Sequence, residues 1–190
     1  MNEKLNTLVK LNQYRLENQY QAAIDTCKEL LAEDENDADV IAVLAVLYHR
    51  LAFNRTEVIN EMFETAILWA NKAIEIKPDR ADFYAIRGRI FLDFPDYEKA
   101  ANDFRLALQI RPDLLSACFG LGFLARAAEE IVSVDEAIGA VESATKIHLD
   151  NPLVFSELHG LLTIKGHLHE ANQTLARALL SFEPLPRKYT

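Results

Sequence analysis

Apolar residues recur along this chain three and four positions apart. In ADFYAIRGRIFLD, Tyr84, Gly88 and Phe91 share a stripe with the aliphatic stem of Arg87, and in LSACFGLGFLARA the same stripe holds Cys118, Leu121, Gly122 and Ala125. A repeat of about 3.6 residues predicts amphipathic helices. Each such segment is followed by a second one, marked by alanines seven apart: Ala66 with Ala73, Ala100 with Ala107, Ala137 with Ala144, and Ala171 with Ala178. Near the start Ala23 and Leu30 take those places in YQAAIDTCKELLAEDEND. The short connections ENQY, DFPDY and KGHLHE bring Asn18, Pro95 and Gly166 into the pattern, and these residues interrupt helices. Each pair of segments therefore predicts a helix hairpin. Small side chains at Ala45, Gly88 and Gly122, facing the recurrent alanines, allow close approach of its two helices. One hairpin cannot bury its own apolar face, so neighbouring hairpins must stack.

The hairpins repeat. Pro78 and Pro112 stand 34 residues apart in EIKPD and QIRPD, each twelve residues beyond an alanine, Ala66 or Ala100. That period belongs to repeat architectures. The stretch ADFYAIRGRIFLDFPDYEKAANDFRLALQIRP resembles a tetratricopeptide repeat (TPR), with Tyr84, Gly88, Phe91, Tyr97, Ala100, Phe104, Ala107 and Pro112 where that family places such residues. The resemblance implies an all-α fold, a right-handed α-solenoid of about five TPR hairpins forming one domain over residues 1–185. Its units fall at 4–37, 38–80, 81–114, 115–151 and 152–185, and residues 186–190 form a short tail. The second unit is nine residues longer than 34 and the fourth three longer. Both insertions are expected to extend helices. Thr56 would cap one of them, and Ser133-Val-Asp-Glu136 reads as a capping box that restarts the other. His159 stands where the family prefers a small residue, and Glu35 and Leu149 replace its proline.

Composition narrows the function. The 190 residues carry 29 acidic and 20 basic side chains, a formal charge of -9, which disfavours a nucleic-acid partner. Half of the residues are hydrophobic, as a packed core requires. The longest apolar run, Val40 to Tyr48, is about half of the roughly 20 residues a membrane-spanning helix needs. No signal-peptide core breaks the charged N-terminal segment, so neither export nor membrane insertion is expected. Cys27 and Cys118 have no partner spacing for zinc, and both read as reduced core residues of a cytoplasmic protein.

Catalytic signatures are missing: there is no glycine-rich phosphate loop, nucleophile elbow or H-E-x-x-H. A non-enzymatic protein without metal or cofactor is expected. His159, His167 and His169 are the best metal candidates, and a polar turn explains them more simply. Glu129 with Glu130 and Asp135 with Glu136 lie beside a turn and a helix start, where anionic groups suit the helix dipole. The run Glu33, Asp34, Glu35, Asp37, Asp39 reads as a solvated loop that caps the next helix, with reception of a basic segment as its functional alternative.

What remains is a binding surface. In the TPR family the first helix of each unit lines a concave groove. By helical phase its residues here include Leu5, Leu8, Val9, Asn12 and Arg15, then Asp39, Ala42, Val43, Val46 and His49. The third unit adds Asp82, Ala85, Ile86, Arg89 and Asp93, the fourth Ser116, Phe119, Gly120, Phe123 and Arg126, and the fifth Leu153, Ser156, Glu157 and Gly160. Of these, Asn12, Val43, Val46, Ile86, Arg89, Phe119, Phe123 and Arg126 form the expected partner site, with the phenylalanines as anchors and the arginines as flanking donors. The resemblance also raises the carboxylate clamp that holds chaperone C-termini. Of the five clamp positions, Leu8, Asn12, Val43, Asp82 and Ile86, only Asn12 matches, so no clamp is expected. An apolar face of this kind suits a protein or peptide partner; its alternatives are packing between adjacent first helices, cover by the chain's own tail, or cover by a second copy of the chain as a subunit of a larger assembly. It is similar in kind to the bacterial secretion chaperones that cradle hydrophobic segments. Leu175, Leu179, Leu180 and Phe182 crowd the last helix before Pro184 and leave core unsolvated at that end.

Overall fold

The computed structural model describes residues 7, 9–11, 13, 14, 16–54 and 59–180, without the side chains of Asn54, Ala178 and Leu180. Leu5, Leu8, Asn12, Arg15, Thr56, Phe182, Pro184 and the tail at 186–190 lie outside the described residues. Helical residues 7, 9–11, 13, 14 and 16 belong to α1. Then follow α2 (Tyr20–Glu33), α3 (Ala38–Asn54), α4 (Ile59–Ile76), α5 (Ala81–Asp93), α6 (Tyr97–Ile110), α7 (Leu115–Ala127), α8 (Val134–Thr145), α9 (Pro152–Ile164) and α10 (Leu168–Leu180). Among the described residues there is no strand.

The chain divides into two compact units, residues 1–96 and 97–190. In the first, α3 packs on α2 and α4, and α5 on α4 and α3. In the second, α7 packs on α6 and α8, and α9 on α8, α10 and α7. The recurrent alanines explain how. Ala23, Ala66, Ala73, Ala100, Ala107, Ala137 and Ala144 are all fully buried, and a methyl is the largest group such a seam admits. Around them Leu11, Ile24, Cys27, Leu44 and Leu47 fill one core cluster of the first unit, and Phe63, Ala70 and Ile90 another.

Turn chemistry sets the ends of the helices. Asp37 Oδ1 accepts from the backbone N–H groups of Asp39 and Val40, each at 3.2 Å, and so caps α3 from within the acidic run. Asn151 caps α9 ahead of Pro152, its Oδ1 accepting from Leu153 N–H at 3.1 Å. Gly166, with φ +83°, ends α9: Gly166 N–H donates to Thr163 O at 3.0 Å and His167 N–H to Leu162 O at 2.9 Å. This is the paired closure a left-handed glycine permits. Asn18, at φ 57°, makes the corresponding turn between α1 and α2.

The two insertions differ. The second unit's extra residues lengthen helices, α3 to 17 residues and α4 to 18. Those of the fourth do not: α7 stops at Ala127, and 128–133 form a turn in which Ile131 and Val132 N–H both bond to Ala128 O. Val132 plugs the core with no exposure, and Arg105 of α6 donates to Ile131 O at 2.9 Å while gripping both Glu136 oxygens at 2.7 and 2.9 Å. Ser133 does cap α8, accepting from Glu136 N–H at 3.2 Å. The Glu136 carboxylate is held by Arg105, a stronger charged donor than the Ser133 backbone N–H of a reciprocal box.

Candidate functional site

The residues expected on the binding face lie on the odd-numbered helices, and each unit is described by itself. In the first unit Val43 is half-buried against the α1–α3 core cluster, and Ile86 is half-buried against the clusters that join α3, α4 and α5. Val46 is also half-buried, and Ala42 and Ala85 are buried. Much of the apolar character here is therefore packing between neighbouring helices.

Several charged groups on this face are paired. Asp39 meets Lys77 at 3.2 Å and Arg80 at 3.0 Å. His49, only 5% exposed, places Nε2 3.0 Å from Asp93 Oδ2, and Arg89 Nε reaches the same oxygen at 3.2 Å. The imidazole sits among aromatic rings, 5.5 Å from Phe53 and 5.6 Å from Phe63 by centroid, and Phe63 stacks in turn on Phe94. Burial pushes the Asp93 carboxyl up, but the His49 hydrogen bond and the Arg89 charge together outweigh it and leave its pKa below the ordinary value. Arg89 thus spends one donor inside the protein, and its side chain stays largely exposed. Sequence phase places His49 and Asp93 on this face; their pairing depends on how α5 packs on α3.

In the second unit Phe119 is half-buried and Phe123 is 49% exposed, an aromatic ring offered to solvent in mid-helix. One turn on, Arg126 donates to Gly122 O at 2.8 Å and pairs with Glu157 Oε1 of α9 at 2.8 Å. Two glycines make room for this pair: a Cβ on Gly122 would overlap the Glu157 carboxylate, and one on Gly160 would touch Arg126. Gly120 turns away from the face, against the ring of Phe104 on α6. The site thus combines an exposed ring with a half-buried ion pair.

The remaining candidates are in structural contacts. His159 Nδ1 lies 3.1 Å from Ala171 O across the α9–α10 hairpin, His167 pairs with Glu170, and His169 with Gln173. Asp135 pairs with Lys165. Cys27 and Cys118 are free and buried, and burial pushes their thiols up to about 12 and about 11.

The hairpin stack has close structural counterparts. The crystal structure of MamA matches with a TM-score of 0.68 over 91% of this chain and 94% of that one, at 20% identity. TTC0263, a thermophilic TPR protein in Thermus thermophilus, matches with a TM-score of 0.68 over 95% of this chain and 92% of that one, at 19% identity. The fold is that of the tetratricopeptide repeat. YrrB, a TPR protein with an unusual peptide-binding site, also matches this chain, with a TM-score of 0.58 over 92% of this chain and 84% of that one, at 18% identity. In sequence, tetratricopeptide repeat protein 16 of Macaca fascicularis and of Homo sapiens is 35% identical over 51 residues, 27% of this chain. That match takes in 6% of the length of those relatives. No family model matches the chain.

Proposed function

We propose that this protein is a non-enzymatic interaction module, an adaptor or chaperone-like scaffold, whose odd-numbered helices bind an apolar or amphipathic segment of a protein partner. The observation that carries the reading is Phe123: an aromatic ring 49% exposed in the middle of a helix that packs on both its neighbours. Aromatic side chains give large contact area for little conformational entropy, which makes them frequent binding anchors. Phe119 extends the apolar surface, and the Arg126–Glu157 pair beside it offers polar groups at the rim. The first unit's own part of the proposed surface is Val43, Val46 and Ile86, all half-buried, with Arg89 as an exposed cation. Asn12 belongs to the proposed site by phase alone.

A protein partner fits the charge of -9 better than a nucleic acid. Among the described residues no helix is long and apolar enough to cross a membrane. We place the protein in the cytoplasm, since its two cysteines are free and buried.

The test is affinity capture with mass spectrometry from cells of the source organism, comparing the wild type with Phe123→Asp. Because Phe123 is already half in water, the substitution should leave helicity and melting unchanged while partners fall away. A folded Phe123→Asp protein that keeps every partner defeats the proposal. A C-terminal EEVD peptide serves as the negative control and should not bind.

A further inference from the structure

The extra residues of the second repeat unit make α3 one turn longer than its counterparts: it has 17 residues, against 13 in each of α5, α7 and α9. Both α3 and α5 open on Ala-Asp, so Arg50 corresponds to Asp93, and the last turn of α3, residues 51–54, has no equivalent in α5. In that turn Leu51 and Ala52 are buried, but Phe53 is 53% exposed. Its ring is held edge-on by His49 at 5.5 Å and by Phe63 at 5.6 Å, so covering it costs little further ordering. Spacings of three, four and three put Val43, Val46, Arg50 and Phe53 on one stripe.

The chain as a whole is acidic, at -9, yet the groups beside this ring are cationic. Arg50 is exposed and has no partner among the described residues. Arg89 of α5 gives Nε to Asp93 at 3.2 Å, and its side chain stays 64% exposed. The same Asp93 oxygen is held by His49 at 3.0 Å, and His49 is the residue on which Phe53 rests. The neighbouring carboxylate is thus committed within the protein, while two guanidinium groups stay open to water near an exposed ring. A segment that brings both carboxylates and apolar side chains matches these groups, and a basic segment would be repelled by them. Arg50 and Phe53 are about 4.5 Å apart along the helix axis. Side chains at i and i+2 of an extended strand share a face about 6.6 Å apart, within the reach of an arginine.

We propose that Phe53, Arg50 and Arg89 form a docking site for an extended acidic segment of a partner protein, in which a large apolar side chain lies two residues from a carboxylate. The apolar group covers Phe53, and carboxylates pair with the guanidinium groups. The proposal rests on the reading of this chain as an interaction module and adds to it the chemistry of the bound segment.

The probe is a labelled ten-residue peptide with leucine and glutamate taking turns at every second position and serine between them, titrated with the full chain by fluorescence anisotropy. Saturable binding is expected, and it should weaken as salt rises. Arg50→Gln should weaken it about threefold, and Phe53→Ser about tenfold. Leu68→Ser, at a 67% exposed position of α4, should leave it unchanged. Arg50 has no internal contact to lose, so Arg50→Gln decides the matter if melting shows that Phe53→Ser does not fold. Peptides with lysine in place of glutamate, or serine in place of leucine, should not bind. The proposal is overturned if the first peptide fails to bind, if the lysine peptide binds as well, or if Arg50→Gln has no effect. A homodimer in sedimentation that Arg50→Gln dissociates would overturn it too, by giving the site to a second copy. Each of these failures leaves the Phe123 reading standing, since that one is decided by partner capture.

Discussion

Gly120 and Gly122 stand two residues apart on α7 and make room for different groups. Gly120 gives its space to the Phe104 ring, which is 1% exposed and packed between α6 and α7. Gly122 gives its space to a carboxylate at the far end of the Glu157 side chain, which can swing away. Gly120→Ala should therefore destabilise the protein by about 1–3 kcal/mol through overpacking. Gly122→Ala should cost less than about 1 kcal/mol, since it loses one partly exposed ion pair. Urea unfolding of the two variants checks the order, and equal losses would refute this account of the packing. Helical phase identifies Gly122 as a small residue facing the alanines of its hairpin partner, whereas the structure sets it against Glu157 of α9. It also places Gly120 toward the groove, whereas the structure shows it against α6, because phase gives an angle and only a neighbouring helix gives that angle a partner.

At the scale of elements, His49 and Asp93 join α3 to α5, across a sequence separation that no local pattern signals. The Asp93 pKa is lowered in the fold, so its ionisation stabilises the native state above the unfolded value, about 3.9, and that contribution disappears as pH falls through the folded value. Asp93→Asn should accordingly lower Tm at pH 7, and the gap from the wild type should close as pH drops below about 3.9. A gap that persists undiminished at the lowest pH where the protein folds would contradict the linkage. The α7–α8 connection likewise depends on a distant partner. The capping box at Ser133 is legible because it is local, and the cap is present. The expected helix extension is absent because Arg105, 31 residues before Glu136, holds both the turn at Ile131 and the carboxylate at Glu136. A long-range charged fork outweighed the helical propensity of AAEEIV.

Across the whole molecule, each compact unit contains one buried thiol, Cys27 in residues 1–96 and Cys118 in 97–190. Thiolates are the reactive species, and burial raises both thiols to about 12 and about 11, so neither should be alkylated in the native protein at about pH 8. In rising urea each should label only as its own unit opens, which mass spectrometry of the two cysteine peptides can follow. Stoichiometric labelling without denaturant would show that the cores are looser than the packing around these residues implies. The sequence by itself determined the helices, the hairpins and the positions of Asn18, Pro95 and Gly166 in turns, because helical period, small-residue seams and left-handed turn residues act within a few positions of one another. It also determined which faces are apolar. Only the tertiary structure decided which apolar residues are spent between helices, as Val43 and Ile86 are, and which are left in water, as Phe123 and Leu175 are. The reason is physical: a hydrophobic side chain obeys the same periodicity whether or not a neighbour covers it, and burial depends on the helix that arrives from elsewhere in the chain.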